Sequence, residues 1–239
     1  MTSLSSRWVA LFVLVFISLA SSAVAIDLQY GSKVKQGDPD EGRVLSPFYF
    51  APQFAFWDQE EDNSLGPGEP VYIHINPTVS RVSKNDVRIT SFGDNSSPYY
   101  PAGSKVKVND TDYDKELRIF GKGRIPAAEI RYFDLNGNGT YSIDDPVYLV
   151  FNHGCFVTPG DVRITGYGVH PAGSIVREGD EDRYMRTSTI PGMLCFYNAD
   201  GDIDNNGWAH YGIDDSIYVD TQYPFYTVTL NDIRMTPLT

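Results

Sequence analysis

The residues best suited to chemistry in this chain are clustered oxygen-bearing side chains. The segment Asp134-Leu135-Asn136-Gly137-Asn138-Gly139-Thr140-Tyr141-Ser142-Ile143-Asp144-Asp145 puts side-chain oxygens at loop positions one, three, five and nine. Glycine stands at six, where a sharp turn is needed, and an acid at twelve. Alternate side chains on a tight loop deliver oxygens to one side, and the main-chain carbonyl at position seven adds another. The pattern predicts a calcium site from Asp134, Asn136, Asn138, Thr140 and Asp145. A hydrophilic hairpin loop using Asn-Gly turn chemistry is the plain alternative.

Two further segments carry the same signature. Asn198, Asp200, Asp202 and Asp204 alternate, and Asp215 aligns with Asp145 after six inserted residues. Asp58, Glu60 and Asp62 alternate ahead of Glu69, but Asn63 replaces the glycine of position six. These are loops 3 and 1, loop 2 being the segment from Asp134. Each is read as a calcium ligand set, with Ca2+ as the expected cofactor.

The loops resemble the EF-hand-type calcium loop of dockerins over about a dozen residues each. In dockerins the loop leads into a helix and occurs as a close pair. Here the strand-like Pro146-Val147-Tyr148-Leu149-Val150-Phe151 follows, so a cohesin-binding dockerin is not implied. The larger pattern, an acidic loop running into Asp-Asp-Pro-Val-Tyr-Leu and then Asn-Asp-Val-Arg-Ile-Thr, resembles repeat modules of archaeal secreted and surface proteins, including sheath and surface-layer components.

That pattern is a tandem repeat. Asp86-Val87-Arg88-Ile89-Thr90 recurs at Asp161 and, as Asp232-Ile233-Arg234-Met235-Thr236, at the end of the chain. Glu69-Pro70-Val71-Tyr72-Ile73 recurs at Asp145 and Asp215, and Pro101-Ala102-Gly103-Ser104 recurs at Pro171. Three phrases keep one order at a period of about seventy residues. The strand phrases are rich in β-branched and aromatic residues, glycine and proline punctuate them, and no segment holds a helical period. The expected class is all-β, with tandem β-sandwich-like modules and calcium loops between strands. Residues 54–160 form the first module or modules with loops 1 and 2, and residues 161–239 the second with loop 3. Residues 26–53 form an N-terminal arm.

Residues 1–25 read as a secretory signal: Arg7, an uncharged apolar run, then Ala23-Val24-Ala25. Removing them takes the formal charge from −12 to −13. That balance disfavours nucleic acid and suits cations. No later stretch has the ~18 apolar residues of a membrane span. Cys155 and Cys195 form a disulfide or stand as two buried thiols. Sequons at Asn95 and Asn109 could carry glycan; the one at Asn138 lies inside loop 2 and is expected to be unmodified.

No catalytic motif is present, and His74, His153, His170 and His210 show no paired-ligand spacing. The chain is therefore read as a non-enzyme: a calcium-binding, secreted structural protein at the cell surface, a sheath or filament subunit. Its partners are itself, head to tail, or other surface components. The chain opens with the second half of a repeat and closes with the first strand of one. The arm could therefore complete a neighbour's sheet or the chain's own. The alternative function is a calcium-stabilised carbohydrate- or protein-binding adhesion module, for which exposed Trp208 is the best platform.

Overall fold

The computed structural model describes residues 28–93, 98–123, 127–151, 154–222 and 225–238. The segment read as a secretory signal, the Asn95 sequon and His153 lie outside them. Among the described residues there is no helix, and none that could cross a membrane.

Three four-stranded antiparallel sheets carry the fold. The first joins β2 (Gln53–Phe56), β3 (Val71–His74), β4 (Val87–Arg88) and β5 (Arg118–Ile119), in the order β4-β3-β2-β5. The second repeats it as β8 (Val162–Arg163), β7 (Val147–Val150), β6 (Glu129–Tyr132) and β9 (Ser188–Thr189). The third is built from β12 (Ile233–Arg234), β11 (Ser216–Asp220), β10 (Met193–Tyr197) and, from the far end of the chain, β1 (Ser46–Pro47). The all-β class thus holds. Each repeat contributes one sheet, and its strands run from an aromatic strand to the short strand beyond the Pro-Ala-Gly-Ser turn. Position 160 falls between β7 and β8, which pair as Tyr148↔Arg163 and Leu149↔Val162.

The central strands are buried on both faces. Val71 and Ile73, Val147 and Leu149, and Ile217 and Val219 all enter one shared core. Their alternate neighbours Tyr72, Tyr148 and Tyr218 point the other way, into three separate small cores. The period of two sorts each strand between a common centre and its own outer cluster.

The arm is not free. Ser46 and Pro47 pair with Phe196 and Cys195, Lys33 bridges Ile233, and Val44 bridges Thr227. The edge that would have been offered to a neighbouring molecule is occupied by the chain's own residues 30–47. Gly31-Ser32-Lys33-Val34 is a third copy of the turn whose other copies are Gly103-Ser104-Lys105-Val106 and Gly173-Ser174-Ile175-Val176. The first two residues of its phrase are Gln29-Tyr30 instead of Pro-Ala, which hides it from a phrase search.

The three turns meet around a pseudo-threefold centre. Gly31, Gly103 and Gly173 all have φ between 75° and 79°. A Cβ on Gly31 would stand 2.6 Å from the Ala172 Cβ, one on Gly103 2.6 Å from the Tyr30 Cβ, and one on Gly173 2.5 Å from the Ala102 Cβ. Glycine is required here by both backbone conformation and close approach.

The expected disulfide is absent. Cys155 is exposed and Cys195 is buried beside Val34, Leu45 and Tyr218, and both are free.

Candidate functional site

Each acidic loop joins the two central strands of one sheet: loop 1 links β2 to β3, loop 2 links β6 to β7, and loop 3 links β10 to β11. The closing acid is buried in every copy, Glu69 at 4 %, Asp145 at 1 % and Asp215 at 1 % exposure. Its carboxylate accepts the amide of the loop's second residue: Gln59 for Glu69, Leu135 for Asp145 at 2.8 Å, and Ala199 for Asp215 at 2.7 Å. It also accepts an amide three residues before itself, from Gly66, Ser142 or Gly212. The closing acid is therefore a clamp holding the two ends of the loop together.

In loop 2 the alternating side chains turn inward. Asp134 accepts the amides of Asn138 at 3.1 Å and Gly139 at 2.7 Å. Asn136 accepts the Asn138 amide at 3.0 Å, and Asn138 accepts the Thr140 amide at 2.7 Å. Thr140 is exposed and donates its hydroxyl to Asn138.

Loop 1 differs at its first position. The Arg118 guanidinium reaches Asp58 at 3.2 Å from β5. Burial pushes Asp58 up, but the amides of Asn63 and Asp62 and the guanidinium outweigh it and hold its carboxyl below the usual range. Asp62 accepts the Ser64 amide, and Glu60 stays exposed. The register pairs that place Arg118 opposite Phe56 place Ser188 opposite Tyr132 and Ser46 opposite Phe196, so among the described residues the first acid of loop 1 alone has a cation from the neighbouring strand.

Loop 3 is split by its insertion. Asn198 accepts the Gly201 amide and Asp200 the Asp202 amide, as the pattern requires. Asp202 lends its own carbonyl to the Asn198 amide group and to the His210 amide. Asp204 accepts the amides of Asn206 and Trp208 and closes the inserted hairpin, in which Ile203 bridges Ala209.

Among the described residues no group of three or more His, Cys, Asp or Glu is placed to hold a metal ion. The loop 2 set contains only two carboxylates; its other oxygens come from amides, a hydroxyl and carbonyls.

Two lysines, unremarked in the sequence, sit against the loops. Lys33, from the arm, donates to the carbonyls of Ser142 and Asp145 in loop 2 and lies 4.5 Å from the Tyr141 ring centre. Lys105 donates to Gly212, Ile213 and Asp215 carbonyls in loop 3 and lies 4.6 Å from the Tyr211 ring. Burial lowers both ammonium groups to about 8, against the pull of Asp145 and Asp144 on one and of Asp215 and Asp214 on the other. Each lysine crosses from one repeat into the loop of the next.

Behind each sheet lies the arginine of the Asp-Val-Arg-Ile-Thr phrase, buried where a half-buried strand would expose it. Arg88 donates to both oxygens of Asp112 and to Asp110, and Tyr72 donates to Asp112. Arg163 makes the same set with Asp182, Asp180 and Tyr148. Arg234 makes it with Asp40, Asp38 and Tyr218. The signal was in the sequence: aspartates six and eight residues beyond Ser32, Ser104 and Ser174.

No family profile, curated protein or solved structure matches this chain.

The histidines are dispersed. His74 is fully buried between Asp86 and the Val79 carbonyl, each at 2.8 Å, which is a structural role. His210 is exposed and lies with Trp208, Tyr49, Phe50 and Asp204 around a depression of about 290 Å³.

Proposed function

We propose that this chain is a calcium-stabilised extracellular binding module that takes carbohydrate on an aromatic ledge beside loop 3. The ledge carries the reading. Tyr49, Phe50 and Trp208 are 64 %, 54 % and 46 % exposed and lie together, with Tyr49 5.7 Å from Trp208 and 4.6 Å from Phe50 between ring centres. Aromatic faces suit the C–H faces of sugars, and a few fixed polar groups beside them suit hydroxyls. Asp204 and His210 stand in that position. The two amides that Asp204 accepts hold its carboxyl below the usual range, as an ionised acceptor.

Calcium enters as scaffold. Loop 2 offers an all-oxygen donor set with three alternating side chains already turned inward, which suits a hard cation. Loop 1 is the poorest of the three, because Arg118 pairs directly with its first acid, whereas Lys33 and Lys105 donate to main-chain carbonyls of loops 2 and 3. Metal held only by the folded state would stabilise it by mass action. Export by the N-terminal segment would supply the calcium-rich surroundings. A head-to-tail filament gains no support from the arm, which is engaged within its own molecule, so a polymer would need another surface.

The test is a glycan array with the signal-free chain and Trp208→Ala, run in millimolar calcium. Saturable binding to a glycan class, lost on substitution, is the expected result. An empty array together with calcium-dependent sedimenting assemblies would replace this reading by the surface polymer.

A further inference from the structure

The three seams between repeats are built to one plan, and one of them lacks its central pieces. At two seams a lysine enters a group of loop carbonyls and an aromatic ring lies under it: Lys33 with Tyr141, and Lys105 with Tyr211. Tyr141 also crosses the seam to donate to the Asn231 carbonyl at 2.9 Å. At the third seam Ile175 stands where those lysines stand, and Leu65 where the tyrosines stand, each by its fixed offset from the serine of the turn and from the closing acid. Both are aliphatic and partly buried against the shared core.

Two consequences follow. Isoleucine is shorter than lysine and leucine smaller than tyrosine, so the seam is not filled. A cleft of about 950 Å³ opens there, with Leu65, Gly66, Glu69, Gly160 and Ile175 in its wall. Second, one carbonyl that corresponds to a lysine's acceptor loses its donor, while the Gly66 carbonyl keeps only the Glu69 amide, as Ser142 keeps that of Asp145. Asp145 and Asp215 give theirs to the lysines; for Glu69, their counterpart, the described residues supply none. Loop 1 meanwhile carries Glu60, Glu61 and Asp62 beyond the Asp58 that Arg118 pairs, which favours a cation nearby.

We propose that this seam is a binding site for a primary alkylammonium group, with the chain's own Lys33 and Lys105 showing how the ligand is held. The ammonium donates to the Gly66, Pro67 and Glu69 carbonyls, the counterparts of Gly212, Ile213 and Asp215, and its alkyl stem lies along Ile175 and Leu65. Ammonium groups need about three acceptors, and main-chain carbonyls at a loop end supply them without a desolvated counter-charge. A small amine and a lysine side chain present the same chemistry, and the experiment separates them.

The probes are n-butylamine, the acetylated and amidated tripeptide Gly-Lys-Gly, and n-butanol as the uncharged control. They are titrated into the full signal-free chain and followed by amide shifts in nuclear magnetic resonance. Saturable shifts at Gly66, Gly68, Glu69 and Ile175 with butylamine, absent with butanol, are expected. Shifts with the tripeptide as well assign the site to lysine side chains; shifts with butylamine alone assign it to free amines. Ile175→Lys should fill the site from within, abolish the shifts and raise the melting temperature. Because a lysine there could in principle misfold the seam, Leu65→Tyr provides a second variant, expected to narrow the cleft and tighten butylamine at least threefold. No saturable shift with either amine, equal shifts with butanol, or unchanged butylamine shifts in a folded Ile175→Lys chain would overturn the proposal. The titrations are run in excess chelator and without glycan, so the readout is separate from both.

Discussion

Arg234, five residues before the last position, and Asp40, in the N-terminal arm, form a buried ion pair at 2.6 Å across 194 positions of sequence. Both side chains are at most 1 % exposed, and Tyr218 and Asp38 complete the network. The pair joins the two ends of the chain into the third repeat. It is the counterpart of Arg88–Asp112 and Arg163–Asp182, whose partners are only 24 and 19 positions apart.

Removing one member of a buried pair leaves the other charge uncompensated and costs about 3–5 kcal/mol. Asp40→Ala should therefore destabilise the protein by that order, and deletion of residues 28–47 should abolish cooperative folding. The control is Arg81→Ala, which breaks the exposed Arg81–Asp114 pair without touching Asp114, whose φ is 63°, and should cost no more than about 1 kcal/mol. Urea unfolding measures all three. A deletion chain that unfolds with the full-length midpoint would show that closure by the arm contributes nothing. The same closure predicts a monomer in sedimentation at micromolar concentration, with or without calcium.

Calcium should separate the loops by their counter-ions. Loop 2 has no internal cation on its first acid, whereas Asp58 in loop 1 is held by Arg118. Titration calorimetry of the wild-type chain should detect binding that Asp134→Ala weakens at least tenfold. Asp134 is the better probe than Asp145, because Asp145 clamps the loop through Leu135 and Ser142 whatever the metal does. Arg118→Ala should add or tighten a second event by freeing Asp58. Heat signals indifferent to Asp134→Ala would move the calcium elsewhere. An unchanged melting curve in excess chelator would remove it from the account.

Much of this architecture was legible, and the limits of legibility have physical causes. The repeated phrases located β3, β7, β11 and β4, β8, β12, because each must alternate between the shared core and an outer cluster. The arginine of Asp-Val-Arg-Ile-Thr reads as the polar face of a half-buried strand, yet Arg88, Arg163 and Arg234 are among the most buried side chains. Alternation cannot see that acids from a distant turn cover that face. The phase of the repeat was hidden for a related reason. The third turn copy replaces Pro-Ala and keeps Gly-Ser, the valine two positions on and the two spaced aspartates, which the backbone conformation, the outer cluster and the guanidinium demand. The Lys33 and Lys105 contacts leave no local pattern at all, since they join residues more than a hundred positions apart.

Two buried carboxyls give the protein an unusual acid limb. Burial pushes Asp161 and Asp232 up to about 6 in the folded chain, against the pull of main-chain donors from Thr158 and Phe151 on one and from Thr221 and Thr229 on the other. Their ordinary value is 3.8, so between about 4 and 6 the folded state keeps protons that the unfolded chain has lost. Stability from these groups falls as pH rises through that window and is level above it, with a slope of at most about 1.4 kcal/mol per pH unit for each. Burial also acts on Asp40, but Arg234 and Tyr218 outweigh it, and Arg163 acts likewise on Asp180; both carboxyls lie below their usual range. Their contribution is present above 3.8 and lost below it. Metal-free melting temperatures should therefore peak near pH 4 to 5. Carboxyl-carbon shifts of Asp161 and Asp232 titrating near 4 would remove the cause.

The thiols offer the last test, and they report on closure from a second direction. Cys155 is exposed on the turn before β8, and Cys195 is fully buried on β10, covered by Val34 and Leu45 of the arm. Burial, with Asp220 and Asp232 nearby, pushes the Cys195 thiol up to about 12. Thiolate is the reactive form, so Cys195 is protected both by access and by protonation. A thiol reagent at pH 8 should modify one group per native chain, at Cys155, and two after denaturation, with no reductant needed in either case. Cys155→Ser should remove the native reaction and leave stability within about 0.5 kcal/mol. The informative variant is Leu45→Ala, which opens the cover supplied by the arm without touching β10. It should cost about 2–5 kcal/mol as a buried leucine truncation and make Cys195 reactive in the native chain. If both thiols react at once in the wild-type protein, the arm does not cover β10 in solution. If neither reacts until reductant is added, the two cysteines are bonded and the ends of this fold are arranged differently.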